Sequence, residues 1–479
     1  MVGKFEEKNK KKTKIVCTIG PSSKARDTLC RMFEAGMDIV RLNSGHMDVE
    51  DVGTYIEEVR SAEEKLGGRI SVMLDLQGPR LRVGPIKGSG VKLEKGENFT
   101  ITTVQRRGDE SRVSVSYQGL PRDLNPGEEI LIDDGLIRLK VLSIEGTDIN
   151  CEVVEGGLLR QGKGMNFPKS SLSLPPFTER DMKYLEAGLS AGVDWVSQSF
   201  VRSAGDVHEL KSAISRLGYD TPVMAKIEKG EAVKAFESII DEADGVMIAR
   251  GDLAVETSTE EVPLVQKELI KRALRRAKPV VTATQMLESM VTNPRPTRAE
   301  ASDVANAILD GTDAVMLSAE TAIGSYPVKA VETMARIAKR AEEALDFDAI
   351  LNERRSWAGE SIADAICYAA SKISSDLRVS SILTITRTGY SAIHLSRFRP
   401  KVPIIAACNS ESVVRRLSVI WGVEAVKCEF EPDFRATIRN AVERSISLGL
   451  LKKGELVVIV SGFLDEKAGT TNLVHIHRI

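Results

Sequence analysis

The chain has 479 residues, 42% of them hydrophobic, and a formal net charge of −2. This length suits about three domains, and the near-neutral charge gives no global attraction to nucleic acid or to a membrane surface. No apolar run approaches the roughly 20 residues that span a bilayer, and residues 1–14 are too polar for a signal peptide. Six scattered cysteines without a C-x-x-C pair favour free thiols and a cytoplasmic location.

Along the chain, the one basic run, Lys8–Lys14, predicts a solvated tail rather than a nucleic-acid contact. Short β-branched runs then alternate with helical patterns. The predicted strands are Ile15–Ile19, Ile39–Asn43, Ser71–Asp75, Trp195–Phe200, Val223–Glu228, Val246–Arg250, Val280–Thr284 and Ala314–Ser318. The predicted helices are Ala25–Ala35, Val49–Leu66, Glu179–Ala191, Pro263–Ala277 and Ala299–Leu309. Eight such units predict a parallel sheet closed into a (β/α)8 TIM barrel.

A stretch with a different texture interrupts the third unit, between Asp75 and Glu179. It is rich in glycine and in short alternating runs such as Asn98–Val104, Glu129–Ile132 and Ile137–Val141. These runs predict a small β-barrel or sandwich inserted at the mouth of the large barrel. We interpret it as a lid over an active site; an inert insertion is the alternative.

After Leu345 a further α/β region is predicted, with few charges at its strand ends. Its strands are Ser380–Thr384, Val402–Ala406, Val423–Val426 and Leu456–Val460. This region is predicted to serve assembly or regulation. The predicted domains are the first part of the catalytic barrel (1–78), the inserted lid (79–171), the second part of the barrel (172–345) and the C-terminal α/β domain (346–479).

Polar residues crowd the C-terminal ends of the barrel strands, where active sites of TIM barrels lie. They are Thr18, Arg41, Asn43, Asp75, Ser199, Lys226, Glu228, Arg250, Asp252, Thr284, Ser318 and Glu320. Residues two apart in a strand share a face, so Lys226 and Glu228 project together. Alone, this pair favours a salt bridge; clustered with the other residues, it indicates catalysis. An ammonium beside carboxylates suits a divalent metal and a phosphate, which is the arrangement that phosphoryl transfer needs.

Glu228 and Asp252 are candidate Mg²⁺ ligands, because this ion prefers oxygen and keeps waters in its shell. The chain has five histidines and none at these strand ends, which disfavours zinc and iron. The turn Arg250–Asp252 offers backbone N–H groups to a carboxylate or phosphate, although a tight turn needing Gly251 would look the same. The string Gly157–Lys163 resembles a phosphate-binding loop, but lacks the following Ser/Thr and helix, and is taken as coincidence.

Several longer strings resemble the pyruvate kinase family, and the resemblance runs from about Lys14 to the C-terminus. The strings are Cys17–Ser23, Met224–Glu228, Arg250–Leu253, Thr282–Met290, Pro294–Ala307 and Met316–Thr321. The resemblance implies a barrel, a β lid, a C-terminal α/β domain and a homotetramer. It also implies phosphoryl transfer from phosphoenolpyruvate to ADP, giving pyruvate and ATP, with Mg²⁺ as the cofactor and Mn²⁺ as a possible substitute.

The resemblance also implies residue roles. Lys226 would neutralise the transferring phosphoryl group, Arg41 would grip phosphate, and Glu228 and Asp252 would hold Mg²⁺. The amides of Gly251 and Asp252, with the Thr284 hydroxyl, would hold the substrate carboxylate. The nucleotide side would comprise Thr18, Pro21, Asn43, His46, Arg82 and Arg180. Protonation of the enolate is expected to use Thr284 or a water network with Ser318 and Glu320.

The chain departs from the family pattern around the family's monovalent-ion site. The strings Asn43-Ser44-Gly45-His46 and Asp75-Leu76-Gln77-Gly78-Pro79-Arg80 lack two hydroxyls of the family pattern and reverse one charge. Asn43, Gly45, Asp75 and Leu76 therefore predict a vestigial ion site, and K⁺ is not expected to be required. The permanent charge of Arg80 would replace it; the alternative is that Arg80 points to solvent.

An effector loop is predicted at Thr386, Arg387, Thr388, Gly389, Tyr390 and Ser391, where hydroxyls and amides follow a strand and open a helix. Ordinary helix capping is an equal alternative. The facing segment Ser461–Thr471 carries Asp465 and Glu466, which would repel a second phosphate. A monophosphate effector is therefore expected rather than fructose 1,6-bisphosphate.

Two other functions remain open at the level of sequence. One is a barrel aldolase or lyase that uses Lys226 as a Schiff-base nucleophile. The other is a catalytically silent barrel that senses a phosphorylated metabolite, against which the intact Lys226, Glu228, Asp252 and Thr284 argue.

Overall fold

The computed structural model describes residues 11–168, 170, 172–462 and 470–479. It begins with a strand that is buried along its whole length, as the apolar run Ile15–Cys17 predicts. The first elements are β1 (Lys14–Thr18), α1 (Arg26–Ala35), β2 (Ile39–Asn43), α2 (Asp51–Leu66) and β3 (Ser71–Leu76). Helix α1 ends at Gly36, whose φ of 117° only glycine adopts readily.

The insert follows β3 and forms its own hydrophobic core around Phe99 and Ile101. Its elements are β4 (Val91–Leu93), β5 (Asn98–Thr102), β6 (Arg112–Ser114), α3 (Leu120–Asp123), β7 (Glu129–Ile132), β8 (Ile137–Glu145), β9 (Asp148–Glu155), β10 (Gly157–Leu159) and β11 (Met165–Asn166). A six-stranded sheet runs β11-β7-β8-β9-β5-β6, and β10 pairs with β4. Bridges from Arg82 to Gly164 and from Val83 to Val115 connect the two edges of this sheet. The sheet therefore curls into the predicted small barrel.

The large barrel resumes after the insert. Its elements are α4 (Glu179–Ala191), β12 (Trp195–Gln198), α5 (Ala204–Arg216), β13 (Val223–Ile227), α6 (Gly230–Lys234), α7 (Phe236–Glu242), β14 (Gly245–Ala249), α8 (Arg250–Glu256), α9 (Val262–Arg275), β15 (Val280–Ala283), α10 (Arg298–Leu309), β16 (Ala314–Leu317), α11 (Ala319–Ala322) and α12 (Pro327–Glu343). The closed order is β1-β16-β15-β14-β13-β12-β3-β2, with every pair parallel. This confirms the predicted TIM barrel.

The C-terminal domain is an α/β sheet, as predicted. Its elements are α13 (Phe347–Glu353), α14 (Ile362–Asp376), β17 (Ser381–Ile385), α15 (Tyr390–Ser396), β18 (Ile404–Cys408), α16 (Glu411–Arg416), β19 (Val423–Lys427), α17 (Phe434–Ser447), β20 (Leu456–Ser461) and β21 (Leu473–Arg478). The strand order is β19-β18-β17-β20-β21. The antiparallel edge strand β21 was not predicted, although its Val474-His-Ile476-His alternation is a strand signal.

Buried polar contacts join the barrel to the C-terminal domain. Arg399 pairs with Asp313 at 3.0 Å, and both side chains are 3% exposed. Lys14 Nζ donates to the Val423 carbonyl at 2.8 Å. Within the barrel part, Lys11 pairs with Asp38. The predicted solvated tail is therefore wrong from Lys11 to Lys14; Lys8 to Lys10 lie outside the described residues.

The predicted limits after residues 78, 171 and 345 stay predictions; residue 171 itself is outside the described part of the chain. All six cysteine thiols are buried and unpaired. No helix of the described segments is long and apolar enough to cross a membrane.

Candidate active site

A cavity of about 200 Å³ opens at the carboxyl ends of the barrel strands. It is lined by Arg41, Asn43, Gly45, His46, Asp75, Gln77, Arg80, Arg82, Ser199, Phe200, Lys226, Glu228, Met247, Ala249, Asp252, Ala283, Thr284, Met316 and Ser318. Many of these residues stand two apart, such as Lys226 with Glu228, because alternate residues of a strand point into the barrel. The cavity brings together most of the predicted constellation.

Lys226 lies at the centre of a buried ionic cluster. Its Nζ is 2.8 Å from Glu228 Oε1 and 3.4 Å from Asp75 Oδ2, and it donates to Ser199 Oγ at 2.6 Å. Burial works to lower the pKa of Lys226, but Asp75 and Glu228 outweigh it and hold the pKa above its ordinary value. The group is therefore a fixed ammonium. This protonation disfavours the Schiff-base alternative, which needs a neutral amine.

Arg41 is held by a carboxylate on one side and a hydroxyl on the other. Its Nε donates to Asp75 Oδ2 at 2.7 Å, and its Nη1 donates to Thr18 Oγ1 at 2.9 Å. Thr18 in turn donates to the Leu317 carbonyl. The buried Thr18 hydroxyl is thus engaged inside the protein and does not line the cavity, which differs from its predicted place beside a nucleotide.

Glu228 and Asp252 face the same cavity. Burial raises the pKa of Glu228, and the nearby charge of Asp252 adds to that rise despite the opposing effect of Lys226. Glu228 Oε2 also accepts from the backbone N–H of Phe200 at 2.9 Å. Two carboxylates that repel one another in a partly dry cleft fit a divalent cation. Among the described residues no group of three or more His, Cys, Asp or Glu side chains forms a metal site, so such a cation would depend on substrate and water for its other ligands.

The turn at Gly251 meets Thr284 across the cavity. The Gly251 N–H donates to Thr284 Oγ1 at 2.8 Å, and that hydroxyl donates to the Ala283 carbonyl at 2.6 Å. Thr284 and Gln285 have φ values of 71° and 53°, in the left-handed region that non-glycine residues, and above all the β-branched Thr284, rarely adopt. Arg250 points away from the cavity and donates to the Thr284 carbonyl at 2.8 Å. Arg250 therefore supports a strained loop instead of facing a ligand.

Four arginines create a positive rim above the cavity. Burial, and then Arg82, Arg41, Arg80 and Arg180, lower the pKa of His46. Burial, followed by the charges of Arg80 and Arg180, likewise lowers the pKa of Arg82. Cations that destabilise one another's charge in this way favour the approach of an anion.

Arg180 donates to Gln77 Oε1 at 2.7 Å and to the Ser44 carbonyl at 3.1 Å. Its place at the rim follows from α4, whose start is fixed by a capping box of Thr178 and Asp181. Pro21 is exposed and, like Arg180, lies outside the lining set.

Arg80 reaches into the cavity instead of pointing to solvent. Its Nη2 is 3.6 Å from Asp252 Oδ1 and 3.8 Å from Asp134 Oδ1, so it lies between the barrel and the insert. Leu76 is 1% exposed and offers no oxygen. Asn43 Oδ1 already accepts from the Gly45 N–H at 3.0 Å.

Glu320 does not take part in the cavity. Its Oε1 accepts from the Leu287 N–H at 3.0 Å, its Oε2 accepts from the Ser318 N–H at 2.7 Å, and it is fully buried. Both carboxylate oxygens are thus engaged by loop amides, one of them that of Ser318, and the expected part of Glu320 in a proton network stays a prediction. Ser318 does line the cavity, and its Oγ has no hydrogen-bond partner among the described residues.

The predicted effector loop is a tight turn in the C-terminal domain. The Gly389 N–H donates to Thr386 Oγ1 at 3.0 Å, and Gly389 has a φ of 89°. Ser391 Oγ and Thr471 Oγ1 lie 2.6 Å apart, so the segment after β20 does face this loop. Asp465 and Glu466 lie outside the described residues.

Apolar and small side chains of the cavity were missed by reasoning from strand ends alone. Met247 lies two residues before Ala249, the last residue of β14, and Met316 lies two residues before Ser318, which follows β16. Ala249 and Ser318 line the cavity too. The same alternation that pairs Lys226 with Glu228 was the available signal. Phe200 was missed as a lining residue; with a φ of 57°, it turns out of the strand pattern.

Comparisons with known proteins agree along nearly the whole chain. Residues 10–331 match a family model described as "Pyruvate kinase, barrel domain", and residues 364–477 match "Pyruvate kinase, alpha/beta domain". A pyruvate kinase of Bacillus licheniformis is 44% identical over 98% of this chain and 80% of its own. One of Clostridium acetobutylicum is 42% identical over 97% and 99%, respectively. A crystal structure of a pyruvate kinase from Cryptosporidium parvum matches with a TM-score of 0.92 and 34% identity, over 98% of this chain and 96% of that one.

Proposed function

The chain belongs to the pyruvate kinase family, and we propose that the cavity at its barrel mouth holds its active site. As a phosphotransferase of this family it moves the phosphoryl group of phosphoenolpyruvate to ADP, giving pyruvate and ATP in glycolysis. The observation that carries the assignment of the site is the Lys226 ammonium, which stands beside two carboxylates in a cleft rimmed by arginines.

The test is a coupled assay with phosphoenolpyruvate, ADP and Mg²⁺. Equal amounts of pyruvate and ATP are expected. Pyruvate formed without ATP would show that the chain hydrolyses the substrate instead of transferring its phosphoryl group.

Lys226 and Arg41 are proposed to act on the transferring phosphoryl group. As an ADP β-phosphate oxygen bonds to phosphorus, it gives up negative charge, while the enolate oxygen gains charge as its bond to phosphorus breaks. In between, charge is spread over the equatorial oxygens of the transferring phosphoryl group. Lys226 stays protonated because its pKa is raised, so it can neutralise that charge without losing its proton. The bonds from Arg41 to Asp75 and Thr18 orient its guanidinium before substrate arrives.

Gly251, Asp252 and Thr284 are proposed to hold the substrate carboxylate. The Gly251 N–H donates directly to the Thr284 hydroxyl, so the two groups already lie side by side. A carboxylate oxygen would accept from both by replacing that bond. A Cβ at Gly251 would stand 3.4 Å from Thr284 Oγ1, in the space such an oxygen needs. Thr284, with water held near Ser318, is proposed to deliver the proton that converts the enolate carbon to a methyl group.

Glu228 and Asp252 are proposed to hold the Mg²⁺ that this family uses, and Mn²⁺, which takes similar oxygen ligands, would substitute. When bound, the ion would draw charge from substrate oxygens. The residues fit the ion because both carboxylates face the cavity, and burial together with the nearby charge of Asp252 raises the pKa of Glu228.

The arginine rim is proposed as the nucleotide side. Arg82, Arg180 and His46 line or border this side, where burial and then the charges of the surrounding arginines lower the pKa of His46. Asn43, which lines the cavity, and the exposed Pro21 are proposed to belong to the same side. Thr18 contributes to this side only by holding Arg41.

We propose that catalysis does not need K⁺. Of the residues at the vestigial ion site, Gly45 and Leu76 offer no side-chain oxygen, and Asn43 is bonded to a backbone amide. Asp75 is engaged by Arg41 and Lys226. The Arg80 guanidinium, 3.6 Å from Asp252, supplies a permanent positive charge in the same cleft.

The loop Thr386–Ser391 is proposed to bind a monophosphate effector, such as a nucleotide or pentose phosphate. Its contact with Thr471 supports a binding place shared with the segment that follows β20. A homotetramer and a cytoplasmic location complete the proposal, supported by the family relationship.

A further inference from the structure

Glu256 is a buried carboxylate outside the cavity, at the C-terminal end of α8. Its Oε1 accepts a hydrogen bond from Asn166 Nδ2 at 3.0 Å and lies 3.4 Å from Lys229 Nζ. Asn166 belongs to β11, the last strand of the insert, and is itself only 6% exposed. The insert and the large barrel therefore meet at a polar contact from which water is largely excluded.

This contact joins the segments that carry the two proposed metal ligands. Lys229 follows Glu228 directly in the chain. Glu256 stands one helical turn after Asp252 in the same seven-residue helix. Because a single short helix moves as one unit, a displacement of Glu256 also displaces the Asp252 carboxylate.

We propose that Glu256 is a positioning residue for phosphoryl transfer. Through its bond to Asn166 of the insert, Glu256 fixes the distance between the two metal-binding carboxylates, those of Glu228 and Asp252. The inference rests on the proposed magnesium site. A positioning role explains why a charged carboxylate is buried here. A buried ion pair contributes little to the stability of the fold, and an apolar pair would join the insert to the barrel at least as well.

A second contact supports the same connection. Arg80 Nη2 lies between Asp134 of the insert and Asp252 of the barrel, at 3.8 and 3.6 Å. Beside Glu256, a small cavity of about 30 Å³ is lined by apolar residues such as Phe167, Leu172 and Phe200 together with the charged Arg202 and Lys229. Because Asn166 and Glu256 are both buried, the bond between them is stronger than it would be in water.

The experiment reverses the polarity of the bond. Asn166→Asp places a second carboxylate against Glu256, and Asn166→Asp with Glu256→Gln restores a donor and an acceptor. Asn150→Asp is the matched control, because Asn150 also lies in the insert and donates to Ser143 Oγ at 3.1 Å. Binding of Mn²⁺ with phosphoenolpyruvate present is measured by electron paramagnetic resonance of the free ion, together with the KM and kcat of each variant.

Asn166→Asp is expected to weaken Mn²⁺ binding on the order of tenfold, since a hydrogen bond to a charged group is replaced by repulsion. In the swapped pair, Asn166→Asp with Glu256→Gln, the Mn²⁺ affinity should return to within about threefold of wild type. The Mn²⁺ affinity of Asn150→Asp should match that of wild type. Wild-type affinity in Asn166→Asp, or a swapped pair as weak as the single variant, overturns the inference. If Asn166→Asp does not fold, Glu256→Gln alone must weaken Mn²⁺ binding, and unchanged affinity has the same meaning.

Failure of the underlying site looks different. In that case Glu228→Gln does not weaken Mn²⁺ binding, either with Asn166 or in the Asn166→Asp background.

Discussion

Asp75 Oδ2 lies 3.4 Å from Lys226 Nζ, and the same oxygen accepts from Arg41 Nε at 2.7 Å. One buried carboxylate is therefore shared by the two cations proposed to meet the phosphoryl group, with Glu228 as a second partner of Lys226 at 2.8 Å. Lys226, followed by Arg41, outweighs the effect of burial and lowers the pKa of Asp75. This makes Asp75 the charge on which the geometry of the cluster depends.

Replacing Asp75 by Asn is expected to destabilise the fold by about 3 kcal/mol or more, because two buried cations lose their shared counter-charge. Turnover should fall as well, since Lys226 and Arg41 repel each other once the carboxylate is removed. Urea unfolding and the coupled assay measure the two effects. An Asp75→Asn variant with wild-type stability and turnover would contradict this role.

The pH dependence of stability follows from the direction of the Asp75 shift. The folded-state pKa lies below the unfolded value of about 3.9. The stability from ionised Asp75 is thus fully present above that value and is lost as pH falls through the folded pKa. Asp75→Asn lacks this contribution, so its free energy of unfolding should fall less steeply than wild type below about pH 4.

Glu228→Gln and Asp252→Asn should each raise the Mg²⁺ concentration for half-maximal activity, on the order of tenfold, because each removes a charged ligand from a site with two. A Mg²⁺ titration at saturating phosphoenolpyruvate measures this. Glu320→Gln is the control, since Glu320 is buried but contacts only loop amides in its described surroundings. Unchanged metal dependence in both cavity variants would place the metal elsewhere.

Wild-type activity is expected to be the same in tetramethylammonium buffer with and without K⁺, because Arg80 already provides a positive charge near Asp252. The measurement is a K⁺ titration of the coupled assay. Activation on the order of tenfold, equivalent to about 1.4 kcal/mol, would show that the ion is required.

The complementary variant combines Arg80→Glu, Leu76→Thr and Gly45→Ser, which restores two hydroxyls and a carboxylate. It should need K⁺ for activity. Arg106→Glu is the charge-matched control in the insert, because Arg106 contacts Asp109 at 3.3 Å, away from the cavity. A triple variant that remains indifferent to K⁺ would contradict the proposed replacement.

A pentose monophosphate or a nucleoside monophosphate should lower the KM for phosphoenolpyruvate more than fructose 1,6-bisphosphate does. The reason is that the segment Ser461–Thr471 contains two acidic residues that disfavour a second phosphate. Activation by each compound is measured in wild type and in Arg387→Ala. Strong activation by the bisphosphate that survives Arg387→Ala would contradict both the ligand class and the place.

Sequence patterns predicted the barrel closely because its signals are local. Glu179–Ala191 was predicted as a helix with the bounds that the structure has, and a capping box fixes its start. Each barrel strand is short, buried and flanked by turns, so its inward positions follow from alternation. The edge strand β21 carries the same signal, but it contains two histidines and only short apolar stretches, and was overlooked.

Contacts that depend on the closed barrel were beyond local patterns. Asp75 and Lys226 lie on strands that are far apart in the chain, yet they form an ion pair, and nothing in either segment names the partner. That Glu320 does not line the cavity was not foreseen, because the strand period ends at Leu317 and α11 begins at Ala319, so alternation no longer tells where the side chain points. The direction of Arg80 likewise depends on how the insert sits over the barrel.

The measurement that tests the account most directly compares wild type with Lys226→Met, in the coupled assay and in calorimetric binding of phosphoenolpyruvate with Mg²⁺. The turnover number should fall by about 10²–10³, because a preorganised charge is lost where the transition state is most negative. Phosphoenolpyruvate binding should stay largely intact, since Arg41, Gly251 and Thr284 are unchanged. A Lys226→Met variant that turns over at the wild-type rate would show that Lys226 does not act on the phosphoryl group.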